Sequence, residues 1–349
     1  MVRQRSAKPL FPGSNPGVAS TKALVNTRAF VLSASGIARR FLFQKEGKMD
    51  FSSFLEWVVR EVEKRAGDDF KDAAIEVSEV KKIGKVYTGL SLRREGDVYN
   101  PTVDLNDFYE RYLRGMDREI IAEAIMLMLE HRPESLPDMD WISNYDEAKK
   151  NLAIVAMNED QNREFLSDIP YIAREDMAII CYLIYDLPDE GKIGTAVTNS
   201  MLREYGIEKL KLFEDAIMNS EELLPAELTF VSDYIGAEEC DKGNPYSRLM
   251  MLSNTCHFRG AACLFYHGMM ERIAAAVGGS YYILPSSVHE MLILPADEKI
   301  RAADLLLMVI EANLTCVPME DWLAESVYLY DHSMGKMVRA AGDGPTDLQ

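Results

Sequence analysis

Residues that could do chemistry crowd most closely at positions 286–290, which read SSVHE. Histidine exchanges protons near neutral pH because its ordinary pKa is about 6.5, and a serine hydroxyl becomes a nucleophile when such a base accepts its proton. The segment could therefore serve a hydrolase or a transferase, with His289 as general base and Ser286 or Ser287 as nucleophile or substrate contact. On a strand, His289 and Glu290 would point to opposite faces, so they would not form a simple pair.

A structural role for the same residues is the competing hypothesis. Ser286 and Ser287 would form a tight turn after Pro285, and His289 would be held by a backbone carbonyl or a nearby acid at the end of a sheet. Turn serines and hydrogen-bonded histidines are far commoner than catalytic ones, and the chain contains neither GxSxG nor HExxH. We favour the structural role and keep His289, Ser286, Ser287 and Glu290 as the candidate catalytic set.

A second group of side chains could bind zinc. Cys256, His257, Cys263 and His267 lie within twelve positions, and all four residue types are zinc ligands. Their spacing matches no standard zinc knuckle, and Cys263 lies in an apolar run, so we expect buried thiols and no metal site. The sequence also lacks GxxxxGK[ST] and a GxGxxG between a strand and a helix. We therefore expect no nucleotide cofactor.

The distribution of charge narrows the class of partner. The 349 residues carry a formal charge of −18, but residues 1–48 hold nine Lys or Arg and one acid, a local charge of +8. Residues 49–349 hold 29 Lys or Arg against 55 Asp or Glu and carry −26. A body this acidic repels nucleic-acid phosphates and anionic lipid surfaces. We expect no nucleic-acid or membrane partner, whereas a protein partner stays open.

The cysteines indicate the compartment. There are five, Cys181, Cys240, Cys256, Cys263 and Cys316, with no CxxC pair. An odd number of cysteines, mostly in apolar surroundings, is typical of reduced thiols in a cytosolic protein and not of a disulfide framework. No uninterrupted apolar run approaches the roughly 18 residues of a membrane-spanning helix. The sequence predicts a soluble, cytoplasmic protein.

Residues 1–48 differ from the rest in being rich in Arg, Ser, Pro and Gly. A targeting signal, a basic interaction arm and an upstream mis-start are three interpretations of this leader. We favour the mis-start, because Gly13-Ser14-Asn15-Pro16 is what GGT TCG AAT CCC would encode, and that string resembles the T-arm of a transfer-RNA gene. An amphipathic helix then begins at Met49. On this interpretation the leader is never made or is disordered.

Hydrophobic periodicity after Met49 predicts a mixture of helices and strands. Predicted helices cover 49–66, ended by Gly67, then 106–130 with Asn106 as N-cap, 199–205, 208–219, 270–277 and 305–312. Predicted strands cover 75–77, 86–92, 99–105, 151–157, 177–185, 192–198, 248–253, 261–266, 281–284, 288–294 and 327–330. Residues 228–235 are ambiguous, and 236–245 are expected to form a loop.

The order of these elements follows no regular strand-helix-strand cycle, which predicts an α+β fold with an antiparallel or mixed sheet. We expect a small α+β unit over residues 49–135 and a larger one over 145–338. The polar residues 339–349 are expected to form a disordered tail.

Three strings carry a family resemblance: Ala196–Leu202 followed by Tyr205-Gly206-Ile207, then Gly260–Tyr266, and finally Tyr281–Glu290. In this order and spacing they resemble the bacterial family catalogued as domain of unknown function 5688, which is found mainly in gut Firmicutes. The resemblance covers about residues 49–335. It implies a lineage and carries over no activity, cofactor or catalytic residue.

Our leading hypothesis is a cytosolic binding or regulatory protein that acts through protein–protein contacts. It rests on a large acidic α+β body without a cofactor loop or a recognisable triad. The alternative hypothesis is a hydrolase or transferase that uses His289 with Ser286 or Ser287. The sequence leaves open whether the chain is an enzyme.

Overall fold

A computed structural model describes residues 48–66, 73–93, 101–131, 140–187, 191–235 and 245–342. The predicted leader apart from Lys48, the helix stop at Gly67, and residues 236–244 and 343–349 lie outside the described residues. The chain divides into two compact units, whose described residues are 48–131 and 140–342. Helices and antiparallel sheets occur in both units, which confirms the α+β class.

The first unit packs three helices against a three-stranded antiparallel sheet. Its elements are α1 (Phe51–Arg65), β1 (Ala74–Lys82), β2 (Lys85–Arg93), β3 (Thr102–Asp104), α2 (Leu105–Leu113) and α3 (Arg118–Glu130). Phe54, Val58 and Val62 repeat every fourth residue on α1, so one face of the helix is buried in the core of this unit. Strand β3 pairs with β2 and lies at the sheet edge, where a neighbouring proline such as Pro101 is tolerated.

The single helix predicted from Asn106 to Glu130 is wrong, because the chain forms two helices there. Asp104 caps α2 by accepting the N–H of Asn106 at 2.9 Å, and Asp117 caps α3. Gly115 adopts a φ of +96° between the two helices. A left-handed glycine followed by a second N-cap ends one helix and starts another. Asn106 lies inside α2, where its Oδ1 accepts the N–H of Thr88 at 2.8 Å.

The second unit contains a four-stranded antiparallel sheet centred on one long apolar strand. Its strands are β4 (Leu152–Asn158), β5 (Tyr171–Arg174), β6 (Met177–Leu187) and β7 (Gly191–Ala196). Strand β4 pairs along one edge of β6, and β5 and β7 pair along the other edge. The strand predicted over residues 177–185 is confirmed, and it lies at the centre of this sheet.

Helices α4 (Tyr145–Ala148), α5 (Arg163–Leu166), α6 (Asn199–Tyr205) and α7 (Lys209–Leu223) accompany this sheet. Leu212, Phe213 and Ala216 of α7 pack on β4 and β6 in the main core of the unit. Gly206, with a φ of +64°, separates α6 from α7 as predicted.

A six-stranded antiparallel sheet completes the second unit. Its strands are β8 (Ala226–Phe230), β9 (Met250–Asn254), β10 (Tyr281–Ser287), β11 (Glu290–Pro295), β12 (Ser326–Asp331) and β13 (Lys336–Gly342), in the order β13-β12-β10-β11-β9-β8. The accompanying helices are α8 (Val231–Ile235), α9 (Met269–Val277) and α10 (Ala302–Thr315). Within the described residues, no helix combines the length and the apolar character needed to cross a bilayer.

The strand predicted over residues 261–266 is wrong, because Gly260–Phe265 forms a 3-10 helix. Residues 260–264 are all buried. A segment that is buried on every side is apolar at every position, so it lacks the alternation of apolar and polar residues that distinguishes a strand from a helix. A Cβ at Gly260 would lie 2.3 Å from Ser253 Oγ, so only glycine allows this approach to β9.

The turn predicted at residues 285–287 lies instead at Val288-His289. Strand β10 continues through Pro285 to Ser287, with a register shift at that point. Beyond Ile283, β10 no longer pairs with β12. Pro285 has no backbone N–H to donate, and none is needed on this edge of the strand. Proline therefore does not end the strand.

The expected disordered tail over residues 339–349 begins too early, because residues 339–342 belong to β13, which pairs with β12. A tight turn joins the two strands. Asp331 Oδ1 accepts the N–H of Ser333 at 2.8 Å, and Gly335 adopts a φ of +63°. An aspartate at the start and a glycine near the end are turn signals, and they add a hairpin to the predicted single strand over 327–330.

Candidate functional site

His289 lies in the two-residue turn between β10 and β11 and is only 8% exposed. Its Nδ1 accepts the backbone N–H of Arg259 at 3.3 Å, and its Nε2 lies 3.6 Å from Asp321 Oδ1. The backbone is also held on both sides. The His289 N–H donates to Ser287 Oγ at 3.1 Å, and the His289 carbonyl accepts the Ser253 hydroxyl at 2.8 Å.

The other members of the candidate catalytic set complete the same turn. The Ser286 hydroxyl donates to Glu290 Oε1 at 3.1 Å, while Ser287 Oγ accepts from the His289 backbone. In the described part of the chain, no serine hydroxyl donates to the His289 ring. The fold therefore brings the four residues together, but their hydrogen bonds are those of a braced turn and not of a nucleophile beside its base.

The four residues considered for zinc differ in their exposure to solvent. Cys263 is buried, whereas Cys256 and His267 are exposed. Burial raises the pKa of Cys263 to about 12, so its thiol stays neutral. Among the described residues, no three His, Cys, Asp or Glu side chains converge on a position that could hold a metal ion.

A groove with a volume of about 200 Å³ opens elsewhere on the second unit. Buried side chains form its floor: Ile154 of β4, Ile179 of β6, Phe213 of α7, and Leu264 and Tyr266 of the 260–270 segment. Half-buried apolar side chains surround its mouth: Ile172 of β5, Ile217 of α7, Phe265 and Met270. The groove thus combines strands, helices and a turn that lie far apart in the sequence.

Two opposite charges lie at the rim of this groove. Arg174 ends β5 and Glu271 lies in the first turn of α9, and both side chains are exposed. The Tyr266 hydroxyl donates to the Leu224 carbonyl at 3.1 Å, and burial raises the pKa of this phenol. The phenol therefore stays protonated and engaged with the backbone. An apolar floor with charged rim residues suits binding, and the described lining residues include no paired acid and base for proton transfer.

Sequence reasoning missed this groove because no local pattern marks it. Its lining extends from Ile154 to Glu271, and most of its members are ordinary core residues of their own elements. The only sequence signal is indirect. Phe265 and Met270 flank His267-Gly268, and Gly268, with a φ of +64°, turns the chain from the 3-10 helix into α9.

Comparison with known proteins gives a family and no closer relative. The model of a family of unknown function, DUF5688, matches residues 51–332, which is most of the chain. Neither the search of curated proteins nor the search of solved structures returned a match. Since the match covers well over half of the sequence, this chain belongs to the DUF5688 family.

Proposed function

We propose that this chain is a binding protein that acts through protein–protein contact, and that its groove accepts one apolar side chain of the partner. The observation that carries this proposal is the size of the groove, about 200 Å³. Sites for cofactors and drug-sized molecules usually measure about 300–1,000 Å³, whereas a cavity of about 150 Å³ suffices for benzene. The groove therefore suits a single bulky side chain better than a cofactor.

The arrangement of residues around the groove supports the same proposal. Binding energy in protein interfaces concentrates where an apolar anchor enters a pocket that is surrounded by polar residues. Here the half-buried Ile172, Ile217 and Met270 offer apolar contact, and Arg174 and Glu271 offer opposite charges that would fix the orientation of the partner. The net charge of −26 over residues 49–349 favours a partner with a basic surface, because long-range attraction speeds association.

The geometry gives less support to the hydrolase or transferase hypothesis. His289 would have to release the Arg259 N–H, or act through Nε2 beside Asp321, before it could accept a proton from a serine. Ser286 and Ser287 already use their oxygens within the turn. The proposal also includes a cytoplasmic location, which the free cysteines Cys181, Cys256, Cys263 and Cys316 support.

Site-specific photo-crosslinking tests the proposal. A photoreactive amino acid is placed at Met270 in cells that express the protein natively, and the adducts are identified by mass spectrometry. We expect one dominant partner, joined through a segment that carries an exposed apolar residue. The substitution Ile217→Asp should remove this adduct, because a carboxylate on the groove wall would be desolvated by the incoming side chain.

Met218→Asp is the matched control. Met218 follows Ile217 on α7, is 67% exposed and does not line the groove, so the adduct should persist. Thermal melts of both variants exclude unfolding as the cause of a loss. Equal loss in the two variants, or adducts that are as abundant when the photoreactive residue is at Leu314 of α10, would contradict a groove-directed contact.

A further inference from the structure

Arg259 immediately precedes the 3-10 helix and has a left-handed backbone, with a φ of +49°. Its backbone N–H donates to the His289 ring, whereas its side chain lies near a different aromatic ring. The residue is only 6% exposed, so its guanidinium is largely removed from water. This is an unusual environment for arginine, which is almost never fully buried unless it is paired.

The charge of this guanidinium has no anionic partner among the described residues. Nη1 is buried and has no hydrogen-bond acceptor. In the described ranges, no carboxylate oxygen lies within 4.0 Å of a guanidinium nitrogen of Arg259, which is the limit for an ion pair. Asp321 is the acid beside His289, where its Oδ1 lies 3.6 Å from Nε2.

The contact that the guanidinium does make is with an aromatic ring. Its Cζ lies 5.9 Å from the centroid of the buried Tyr182 ring on β6. Gly194 of β7 provides the space for this ring, because a Cβ there would lie 2.6 Å from Tyr182 Cε1. The aromatic surface under Arg259 is thus built into two neighbouring strands.

A cation–π contact does not compensate for the loss of water around a full positive charge. A buried lysine could shed its proton, but arginine stays charged at any physiological pH. A buried guanidinium without an anionic partner among the described residues is stable only at a cost, and an anion that reaches Nη1 would remove that cost. Guanidinium groups bind planar oxyanions in particular.

We propose that Arg259 binds a carboxylate group of a ligand, and that the contact with the Tyr182 ring supports the guanidinium. The carboxylate is favoured over phosphate because residues 49–349 carry −26, so a singly charged anion meets less repulsion than a doubly charged one. The same chemistry is available from a free carboxylic acid and from the C-terminus of a peptide. This site is independent of the groove.

The test is a set of thermal melts and calorimetric titrations of the full chain at constant ionic strength. The probes are sodium acetate, an N-acetylated tri-alanine with a free carboxylate, the same peptide with an amidated C-terminus, and inorganic phosphate. We expect saturable stabilisation by acetate or by the free-acid peptide, with a melting temperature raised by about 5 °C or more at a hundredfold excess over Kd. Comparing the two carboxylates identifies the source, and the amidated peptide should have no effect.

Arg259→Met should abolish this response and, without ligand, melt at or above the wild-type temperature, because an unpaired buried charge has been removed. Arg259→Lys keeps the charge but loses the planar guanidinium that binds a carboxylate through two N–H groups, so it should weaken binding about tenfold. This variant tests the proposal if the methionine variant does not fold.

Arg339→Met is the matched control. Arg339 is also buried, but its Nη2 lies 3.5 Å from Glu175 Oε2, so its removal should lower the melting temperature and leave the acetate response intact. The proposal is overturned if no carboxylate gives a saturable response, if Arg259→Met responds like the wild type, or if phosphate binds more tightly than both carboxylates.

Discussion

The ring Nδ1 of His289 accepts the backbone N–H of Arg259, a hydrogen bond of 3.3 Å between residues that are 30 positions apart. It joins the turn of the β10–β11 hairpin to the start of the 3-10 helix. The joined segment includes His257 and Arg259, two non-glycine residues with φ near +50°. Left-handed residues of this kind persist only where surrounding contacts hold them. The histidine is therefore a brace for a strained segment.

Removing this brace should lower stability. We expect His289→Ala to reduce the free energy of unfolding by about 1–3 kcal/mol, because the buried Arg259 N–H loses its acceptor. His289→Asn, whose Oδ1 can replace Nδ1, should lose less. Urea unfolding of the three proteins measures the difference. An unchanged midpoint in the alanine variant would favour the enzyme hypothesis, since a purely catalytic histidine contributes little to stability.

Gly260 should tolerate no side chain. A Cβ there would lie 2.7 Å from both the Asn254 N and the His289 carbonyl oxygen, and these backbone atoms cannot rotate away. We expect Gly260→Ala to cost at least about 2 kcal/mol in denaturant unfolding. Gly206→Ala provides the comparison: its Cβ would meet nothing within 4 Å, but its φ is +64°, so only conformational strain of about 1 kcal/mol applies. Equal losses would show that the close packing at Gly260 is not real.

Thiol reactivity should divide the described cysteines into two pairs. Cys256 and Cys316 are exposed, while Cys181 and Cys263 are buried and burial raises the pKa of both thiols. The nucleophile is the thiolate, so buried neutral thiols react slowly. In a Cys240→Ser background, we expect Ellman's reagent to modify two thiols rapidly in the native protein and two more after denaturation. Rapid modification of all four would contradict the buried placement.

Two half-buried and two buried tyrosines predict unfolding at alkaline pH. Burial raises the pKa of Tyr185 and of Tyr205 to about 12, and it raises the pKa of Tyr266 and Tyr281 further. Because the folded values exceed the unfolded value of about 10, the stabilisation is complete below pH 10 and declines as the pH rises through the folded values. Absorbance at 295 nm and far-UV circular dichroism should therefore change together above about pH 11. Complete ionisation near pH 10 with intact circular dichroism would rule this out.

The parts of the fold that could be predicted are those in which the local pattern and the tertiary environment agree. The amphipathic face of α1 and the apolar run of β6 each have one interpretation, and the structure contains both. Prediction failed where local signals compete. Pro285 indicated a break but lies within a strand, and Asn106 resembled a cap although Asp104 performs that role.

The sites could be predicted only in part. The serines and the histidine of residues 286–290 are neighbours in sequence, so their grouping was visible, but the acceptor role of Nδ1 depends on Arg259. Arg259 itself gave no signal, because arginine is a charged residue that is mostly exposed in folded proteins. The ring that it contacts belongs to Tyr182, 77 positions earlier in the chain. Such relationships arise from tertiary packing and have no local counterpart.

Because β6 is the shared neighbour of β4, β5 and β7, the order of synthesis matters for this sheet. The ribosome makes β4 and β5 first, and neither has a pairing strand in the sheet until β6 follows. Roughly 36 residues separate the start of β4 from the end of β6, which takes about 2–7 s at ordinary elongation rates. During that interval the apolar strand β4 has an open edge, the condition in which strands pair with other chains, and the short strand β5 joins it unpaired after residue 174. The greatest risk of misassembly therefore falls in a short period of translation, before the finished protein exists.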